Sequence, residues 1–486
     1  MQKKHPLSKI LNSFFFISLL AIILLQNNAC RKTETVENAK LNFSKSVVTF
    51  DTVFTTVGSV TERFTIRNPH NFEVTTNIYI AGGERSSFSI NVDGLSGTSF
   101  KNITIAPKDS LFVFVKVTVN PNDANLPFIV EDSIVFRTGT TTQQVNLVAF
   151  GQNANFIIAD RELNGGSLKY KIVASENETV IWTKERPYVI YGWAVVDSLG
   201  KLIIEPGTQV YVHSNGGVWV YRYGNIEING TLEEPVTFQS DRRDSYMINN
   251  GELWSRIWIN ESNRNNLINY AVIKDAFIGI QVAALEEFLS GTTVIKNTVI
   301  QNNAGWGILG RIANMEIENC EISESHQYSI ECAIGNYTLR HVTVANNYTS
   351  SRSTPSLWIS NGYADSDANV IGGTSFLAQN CIFNGRIADE IGSKTYDGVN
   401  FTHQFDNCII KSKENKLDNF DQCIFNAETK FKDFDKGDFR LSENSPAINA
   451  GKDIGIFQDI LGNSRNAPPD IGAYEYVPGE GKRVKK

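Results

Sequence analysis

Methionine, cysteine and long apolar segments are scarce in this chain of 486 residues, and this scarcity argues against certain kinds of site and function. The chain has 3 Met and 6 Cys, and Cys30 is the only cysteine among the first 300 residues. No CxxC or Cys/His pair has metal-site spacing, so a structural zinc site is not predicted. The apolar run at 14–25 is too short to span a bilayer. Lys and Arg form no cluster, which argues against nucleic-acid binding.

The N-terminal segment has the pattern of an export signal. Lys3, Lys4 and Lys9 precede or flank the apolar run, and residues 1–29 contain no acid. Cys30 follows directly, and this arrangement resembles a bacterial lipobox of the Bacteroidetes type, in which the cysteine is diacylated. The resemblance implies a protein anchored by lipid at Cys30 to the outer membrane, at the cell surface or on the periplasmic face. No other membrane contact is expected.

The second half of the chain carries a repeated pattern of short strands. A polar residue recurs with apolar residues two positions before it and three positions after it, at Asn269, Asn297, Asn319, His341, Asn380, Asn407 and Gln422. A repeat near 22 residues without helix-forming segments predicts a parallel β-helix, with a β-sandwich as the alternative. The recurring amide or imidazole predicts a hydrogen-bonded ladder at one corner of the coils. Four of the polar residues are followed by cysteines that are predicted to be buried free thiols, namely Cys320, Cys381, Cys408 and Cys423.

Spacing irregularities mark where the repeat is interrupted. The 39-residue step from His341 to Asn380 predicts one coil plus a lateral insertion. The 15-residue step from Asn407 to Gln422 is short for a three-sided coil, so the stack is expected to end there.

The region before the repeats predicts a β-sandwich. Alternating runs such as FTI at 64–66, LFVFVKVTV at 111–119 and VNLVAF at 145–150 are broken by turns. This segment resembles an immunoglobulin-like domain of the ASH/HYDIN type, which usually serves as a spacer or interaction module.

The rest of the chain resembles bacterial right-handed parallel β-helix proteins. LIIEPGTQVYV at 202–212 and IEINGTL at 226–232 look like opening coils. GDFRL at 437–441, SPAINAG at 445–451 and PDIGAYEY at 469–476 are similar to the end of the choice-of-anchor Q family.

The predicted fold class is therefore all-β, an N-terminal immunoglobulin-like β-sandwich followed by a right-handed parallel β-helix. The predicted boundaries are 1–29 for the signal peptide, 30–40 for a tether, 41–152 for the sandwich, 156–445 for the β-helix, 446–478 for the C-terminal segment and 479–486 for a polar tail.

Motifs for small-ligand chemistry are few. GWGILG at 305–310 matches GxGxxG, but it alternates like a strand and lacks the βαβ context of a dinucleotide site. DSDAN at 365–369 offers Asp365, Asp367 and Asn369 as alternate oxygen ligands for calcium. Val370 stands where an EF-hand has Gly, so a solvated loop without metal is the preferred interpretation, and calcium is the only cofactor that the sequence suggests.

One polar group could support catalysis. β-Helix lyases use Lys or Arg as base with calcium, and β-helix hydrolases use clustered Asp. The candidate group here comprises Asp365, Asp367, Asp389, Lys394, Asp397 and His403. No family motif is matched residue by residue, so a non-catalytic protein is favoured.

The segments 346–379 and 384–404 interrupt the repeat and carry the candidate binding residues Trp358, Tyr363 and Tyr396. Aromatic faces suit sugar rings, although such side chains also fill gaps beneath their own loops. Asp-Ser/Thr-apolar tripeptides resembling a Bacteroidetes O-glycosylation signal occur at Thr52, Ser110, Ser133 and Ser198. We expect a cell-envelope protein that binds an extended polysaccharide or surface protein, with a polysaccharide lyase or glycoside hydrolase as the alternative.

Overall fold

The computed structural model describes residues 39–54, 61–119, 128–242, 254–260, 264–284, 291–348, 352–365, 368–413 and 418–479. These residues form β-strands and three short 3-10 turns, Gly83–Arg85, Asn164–Gly166 and Phe434–Lys436. None of them forms a helix long and apolar enough to cross a bilayer. They divide into two compact units on either side of Gly151. Cys30, the signal segment and the polar tail from residue 480 lie outside the described residues.

The first unit is a β-sandwich of two five-stranded sheets, in the orders β1-β3-β8-β5-β6 and β2-β10-β9-β4-β7. Its strands are β1 (Asn42–Phe43), β2 (Val47–Phe54), β3 (Glu62–Arg67), β4 (Val74–Ile80), β5 (Phe88–Val92), β6 (Leu95–Gly97), β7 (Ser99–Ile105), β8 (Ser110–Val117), β9 (Phe128–Thr138) and β10 (Thr141–Gln152). Alternate residues such as Val113, Val115 and Val117 are buried in one core between the sheets. The predicted sandwich is confirmed.

The second unit is built mainly from parallel strands, with some antiparallel pairs among them. They are β11 (Asn155–Ile158), β12 (Arg161–Leu163), β13 (Leu168–Ala174), β14 (Thr179–Trp182), β15 (Tyr188–Tyr191), β16 (Trp193–Val196), β17 (Lys201–Ile204), β18 (Gln209–Val212), β19 (Gly217–Val220), β20 (Asn225–Asn229), β21 (Val236–Ser240), β22 (Arg256–Ile259), β23 (Asn266–Asn269), β24 (Ala271–Lys274), β25 (Ile278–Ala283), β26 (Thr293–Lys296), β27 (Val299–Asn303), β28 (Trp306–Glu318), β29 (Glu321–Ser325) and β30 (Ile330–Arg340). They continue as β31 (Thr343–Asn346), β32 (Leu357–Ser360), β33 (Gly362–Asp365), β34 (Ala368–Ile371), β35 (Thr374–Gln379), β36 (Ile382–Gly385), β37 (Ile391–Lys394), β38 (Phe401–Asp406), β39 (Ile409–Ile410), β40 (Phe420–Asp421), β41 (Ile424–Phe425), β42 (Phe431–Asp433) and β43 (Asp438–Leu441). The antiparallel pairs are β12–β13, β33–β34 and β42–β43.

Three parallel ladders of these strands enclose one continuous apolar core, as a β-helix requires. The first ladder is β11-β15-β18-β21-β24-β27-β29-β31-β36-β39-β41. The second is β13-β16-β19-β22-β25-β28-β30-β32-β37. The third is β14-β17-β20-β23-β26-β28-β30-β35-β38-β40. The long strands β28 and β30 belong to both of the last two ladders, and the predicted fold class is confirmed.

The corner between the third and first ladders is a column of residues with left-handed backbone. It contains Tyr270, Asn297, Asn319, His341, Asn380, Asn407 and Gln422, with φ between 47° and 53°. Asn is enriched there because its short polar side chain tolerates positive φ. The expected corner position Asn269 is wrong by one residue, since Asn269 pairs with Lys296 and Tyr270 therefore occupies the corner.

Side chains of this corner column form part of the predicted ladder. Asn297 donates to Asn269 Oδ1 at 2.9 Å, and Asn319 donates to Asn297 Oδ1 at 3.2 Å. His341 Nε2 lies 3.0 Å from Asn380 Nδ2. The ladder is therefore confirmed as an interaction between coils, although several amides also bind a different part of the chain.

That part is the C-terminal strap, residues 442–476, which runs over the outer side of the first ladder. Ile471 packs there on Ile382 and Ile409. Asn319 Nδ2 donates to the Gln458 carbonyl at 2.7 Å, and Asn380 exchanges two hydrogen bonds with the backbone of Lys452. The corner amides thus join coils to each other and to the strap.

The interior thiols match most of the prediction. Cys320, Cys381 and Cys408 are fully buried and free, as expected. Cys423 is free but only half-buried, which corrects the expectation that all four are buried. It lies beside β41, the last strand of the first ladder, so no further strand of that ladder covers it.

The two spacing irregularities have clear structural counterparts. The 39-residue step contains the antiparallel hairpin of β33 and β34 between β32 and β35. After β37 the described residues add no strand to the second ladder, and the stack ends at β40 and β41. GWGILG lies in the loop before β28 and in that strand, away from any βαβ arrangement in the described residues.

Candidate functional site

A column of side chains follows the outer side of the second ladder. The in-register positions are Val195, Trp219, Trp258, Gln281, Leu309, Glu331, Trp358 and Gly392. Their neighbours along each strand, such as Ile257 and Ile259, are fully buried in the core. Because side chains alternate across a strand, the column faces away from the core.

Aromatic rings make this surface nearly continuous. Trp219 and Trp258 stack with ring centroids 5.0 Å apart and planes 10° apart. Farther along the coils, Trp306 lies 6.3 Å from Tyr328, and Tyr328 lies 5.9 Å from Trp358. We call these five residues the aromatic face, and each is half-buried, so each keeps exposed ring surface.

Arg256 connects the two groups of rings. Its guanidinium lies 5.8 Å from the ring of Phe277, which contacts Trp306. Its Nη1 also donates to Gln281, the column residue between Trp258 and Leu309. Burial lowers the pKa of Arg256 from its ordinary value, without removing its charge near neutral pH.

Glu331 is the carboxylate at the middle of the face. Its Oε2 accepts a hydrogen bond from the Trp306 indole at 2.7 Å, and its Oε1 lies 3.2 Å from Arg311. Only 7% of Glu331 is exposed, so its charge depends on these partners. Its present role is to fix the orientation of the Trp306 ring.

Polar groups of the face are not all satisfied by the protein. The indole N–H of Trp219 donates to Asn260 Oδ1 at 2.6 Å. By contrast, the indole N–H of Trp258 has no hydrogen-bond partner among the described residues. The indole nitrogen of Trp258 is itself buried, so its unpaired N–H is a cost within the protein and not a contact for a ligand.

The three predicted binding aromatics lie at one end of the face. Trp358 belongs to the column itself, while Tyr363 and Tyr396 lie beside it. Arg311 covers the Tyr363 ring at 4.7 Å, and Lys394 covers the Tyr396 ring at 4.4 Å. Both tyrosine rings are therefore already in contact with cations, and the role of the three residues in binding stays a prediction.

The predicted catalytic residues are distributed over different surfaces. Asp389 accepts hydrogen bonds from Ser412 Oγ and Lys413 N, and with Trp358 it lines an open cavity of about 430 Å³. Lys394 ends β37 on the second ladder, and Asp397 is exposed in the turn beyond it. His403 lies on the third ladder between Phe401 and Phe405, with Nε2 2.7 Å from Asp418.

The remaining predicted sites are only partly described. The side chain of Asp365 and the whole of Asp367 lie outside the described residues, whereas Asn369 is on β34 and pairs with Ala364. Elsewhere in the described chain, no three His, Cys, Asp or Glu residues are grouped to hold a metal ion. Of the four hydroxyls with the glycosylation pattern, Ser110 is exposed, Ser133 is half-buried, Ser198 donates to Arg222 O, and the side chain of Thr52 lies outside the description.

Sequence reasoning missed Trp219, Trp258, Trp306 and Tyr328. The available signal was alternation within a single coil, as in RIWI at 256–259, where Trp258 lies between two core isoleucines. Trp219 and Trp258 are 39 positions apart, so their stacking follows from the register of β19 and β22 and not from local sequence.

No protein-family model matches the chain, and no curated protein sequence matches it. Several solved structures share a remote likeness. The catalytic unit of a GH87 α-1,3-glucanase from Streptomyces thermodiastaticus is 11% identical over 75% of this chain and 88% of that chain, with a TM-score of 0.26. The ASH/PapD-like domain 7 of human CEP192 is 8% identical over 26% of this chain and 93% of that domain, with a TM-score of 0.17. A family 123 glycoside hydrolase from Clostridium perfringens is 7% identical, and this match spans 24% of this chain and 27% of the hydrolase at a TM-score of 0.18. Likenesses this weak carry no inference about activity.

Proposed function

We propose that this chain is a lipid-anchored cell-envelope protein whose β-helix binds an extended glycan along the aromatic face without cleaving it. The observation that carries the proposal is the series of half-buried rings along the second ladder, in which Trp219, Trp258 and Trp358 share one register column and Trp306 and Tyr328 lie beside it. Neighbouring parallel strands are ~4.8 Å apart, so rings on different strands meet different parts of one extended ligand.

The chemistry of the face suits a sugar chain. Flat indole and phenol rings offer apolar surface to the C–H faces of pyranose rings, and their orientation is fixed by packing before binding. Arg256 and Gln281, which are hydrogen-bonded to each other, supply polar groups for hydroxyl or carboxylate substituents. A surface protein is a less suitable partner, because these polar groups lie among rings along a narrow column.

Binding without cleavage is supported by the carboxylates of the face. A glycosidase requires two carboxyl groups about 5–10 Å apart on either side of the scissile bond. In the described part of the column the carboxylate is Glu331, and it is engaged by Trp306 and Arg311. A lyase or hydrolase that uses Asp365, Lys394 or Asp389 is the competing function, and the experiment below distinguishes the two.

Purified protein should be tested for binding and for depolymerisation against a panel of uronic-acid and neutral polysaccharides. We expect saturable binding to at least one polymer, with no new reducing ends and no unsaturated products. Trp258→Ala should weaken binding about tenfold or more, as loss of a central aromatic anchor does. Phe112→Ala removes a 51% exposed ring from the sandwich and is the matched control, which should bind normally.

A second pair of variants separates binding from catalysis. Replacing Trp358 and Tyr363 with Ala should reduce binding at the far end of the face. If Asp365→Ala or Lys394→Ala instead abolished a measured depolymerising activity, the enzyme hypothesis would replace the binding proposal.

The anchoring part of the proposal is supported by the sequence alone. Cys30 follows an apolar leader, and multiple acyl chains would hold the protein firmly at the outer membrane. Cys30→Ser should move the protein from the membrane fraction to the soluble fraction. Unchanged fractionation would contradict lipid attachment at this residue.

A further inference from the structure

A second groove lies between the third ladder and the C-terminal strap. Its floor is an in-register column at the edge of the third ladder, formed by Lys296, Glu318, Arg340 and Gln379. The strap segment 454–458 forms its other side, and the open groove between them has a volume of about 610 Å³. The aromatic face belongs to the second ladder, so this groove is a separate site.

The strap segment over the groove is held at both ends. Asn380 binds the backbone of Lys452 at one end, and Asn319 Nδ2 donates to the Gln458 carbonyl at the other. Between these two points lies Phe457, whose side chain is 74% exposed, the highest value for a large apolar side chain in the described residues. The fold therefore displays an aromatic ring on a fixed support beside a polar floor.

The charges on the floor alternate along the coils. Lys296, Glu318 and Arg340 occupy three consecutive steps, each ~4.8 Å from the next, so the Cα atoms of the two cationic residues are roughly 10 Å apart. The internal pairing is loose, with Lys296 Nζ 3.4 Å from Glu318 and Arg340 Nη1 3.8 Å from Glu316. Half-exposed pairs of this kind contribute little to stability, so a ligand can replace them.

We propose that this groove binds an acidic glycan in which every second sugar carries a carboxylate. An extended chain of this type repeats its negative charge every two sugars, which matches the separation of Lys296 and Arg340. The intervening sugar would place an N-acetyl N–H donor at Glu318, while Phe457 covers one face of the chain. The groove thus selects ligands by the spacing of their carboxylates, whereas the aromatic face does not.

An acidic peptide fits this arrangement less well. Side chains on one face of an extended peptide recur about every 6.6 Å, at two residues of ~3.3 Å each. That repeat does not match cationic residues whose Cα atoms are roughly 10 Å apart. The length scale therefore favours the glycan.

The proposal is tested by calorimetric titration of the full mature protein with three hexasaccharides. One alternates glucuronate and N-acetylglucosamine, one is all galacturonate, and one is uncharged N-acetylglucosamine. We expect the alternating oligomer to bind most tightly, with Arg340→Gln weakening it about tenfold. Phe457→Ala should weaken binding of this oligomer several-fold, because it removes the aromatic contact and leaves the charged residues in place.

Two controls make the result specific. Lys201→Gln removes another third-ladder cation, paired with Glu227 at 2.6 Å outside the groove, and should bind like wild type. Repeating the Arg340→Gln comparison in Trp258→Ala protein, whose aromatic face is impaired, assigns the measured loss to the groove, so failure of the aromatic-face proposal would not affect this one. The proposal is overturned if the alternating oligomer does not bind, if the neutral oligomer binds equally well, if an oligoglutamate peptide binds more tightly, or if well-folded Arg340→Gln and Phe457→Ala both bind normally.

Discussion

Acid should weaken the β-helix through one buried imidazole, that of His341. The side chain is fully buried in the corner column, between Asn380 Nδ2 at 3.0 Å and the Gly472 carbonyl at 3.3 Å. These partners require Nδ1 to donate and Nε2 to accept, which is the neutral tautomer. Burial, together with the nearby charge of Arg465, lowers the pKa of His341 from 6.5 to about 3.

The sign of the effect follows from this lowered pKa. Between pH 6.5 and about 3 the unfolded chain binds a proton at His341 that the folded protein does not bind, so the free energy of unfolding falls as the pH falls. At pH 5 the loss is about 2 kcal/mol, at 1.36 kcal/mol for each pH unit below the unfolded pKa. The stabilisation is fully present only above pH 6.5.

His341→Asn is the informative variant, because Asn already occupies most positions of this column and tolerates the positive φ of 52°. Denaturant unfolding of both proteins at pH 7.5 and pH 5 should show wild type losing about 2 kcal/mol more than the variant. Other titrating groups are common to both proteins and cancel in the comparison.

His213→Asn provides a control of opposite sign. A hydrogen bond to Asp241 raises the pKa of His213, so its stabilisation is present at acid pH and is lost as the pH rises through that raised value. Parallel pH profiles for wild type and His341→Asn would refute the assignment of a buried neutral imidazole.

Three further outcomes are expected. Native protein should be alkylated quickly at half-buried Cys423, because a hydrogen bond from Cys408 lowers the pKa of this thiol. Cys320 should react only in denaturant, because burial raises its pKa to about 12. Labelling that requires reductant would reveal a disulfide instead. Glu390→Gln should destabilise the β-helix by about 3–5 kcal/mol, since Arg352 Nη2 lies 2.7 Å from Glu390 and both side chains are buried. In the same denaturant titration, the half-exposed pair Lys201–Glu227 should contribute about 1 kcal/mol or less. Asn319→Ala should cost about 1–3 kcal/mol, because it leaves polar groups of Asn297 and the strap unpaired, and an unchanged melting temperature would count against the corner column.

The fold was largely predictable because its repeat imposes local chemistry at each corner. From β23 onward, a left-handed residue occupies each turn from the third to the first ladder, and Asn, His or Gln fills it in six coils. The prediction for the seventh corner, at Asn269, was wrong by one residue. Tyr270 takes the left-handed conformation there, and the amide one residue earlier imitates the pattern. Local sequence cannot distinguish a corner amide from an outward amide one position away.

The functional surfaces were harder to predict because they form across coils. Within its own coil Trp258 is an ordinary alternating strand residue, and only the register of β19 and β22 places it against Trp219. Phe457 has no repeat to identify it, and its exposure depends on anchoring of the strap by Asn319 and Asn380. By contrast, Trp358, Tyr363 and Tyr396 could be proposed from the sequence, because the insertions that carry them interrupt a regular spacing, and their role in binding stays a prediction.

The most direct test of glycan binding along the aromatic face is hydroxyl-radical footprinting with the polysaccharide that binds best. Oxidation of each tryptophan is measured by mass spectrometry with and without the ligand. The account predicts that the half-buried Trp219, Trp258, Trp306 and Trp358 become protected, while the core residues Trp182 and Trp254 react little in either state. Saturated binding without protection of these four rings would contradict the account.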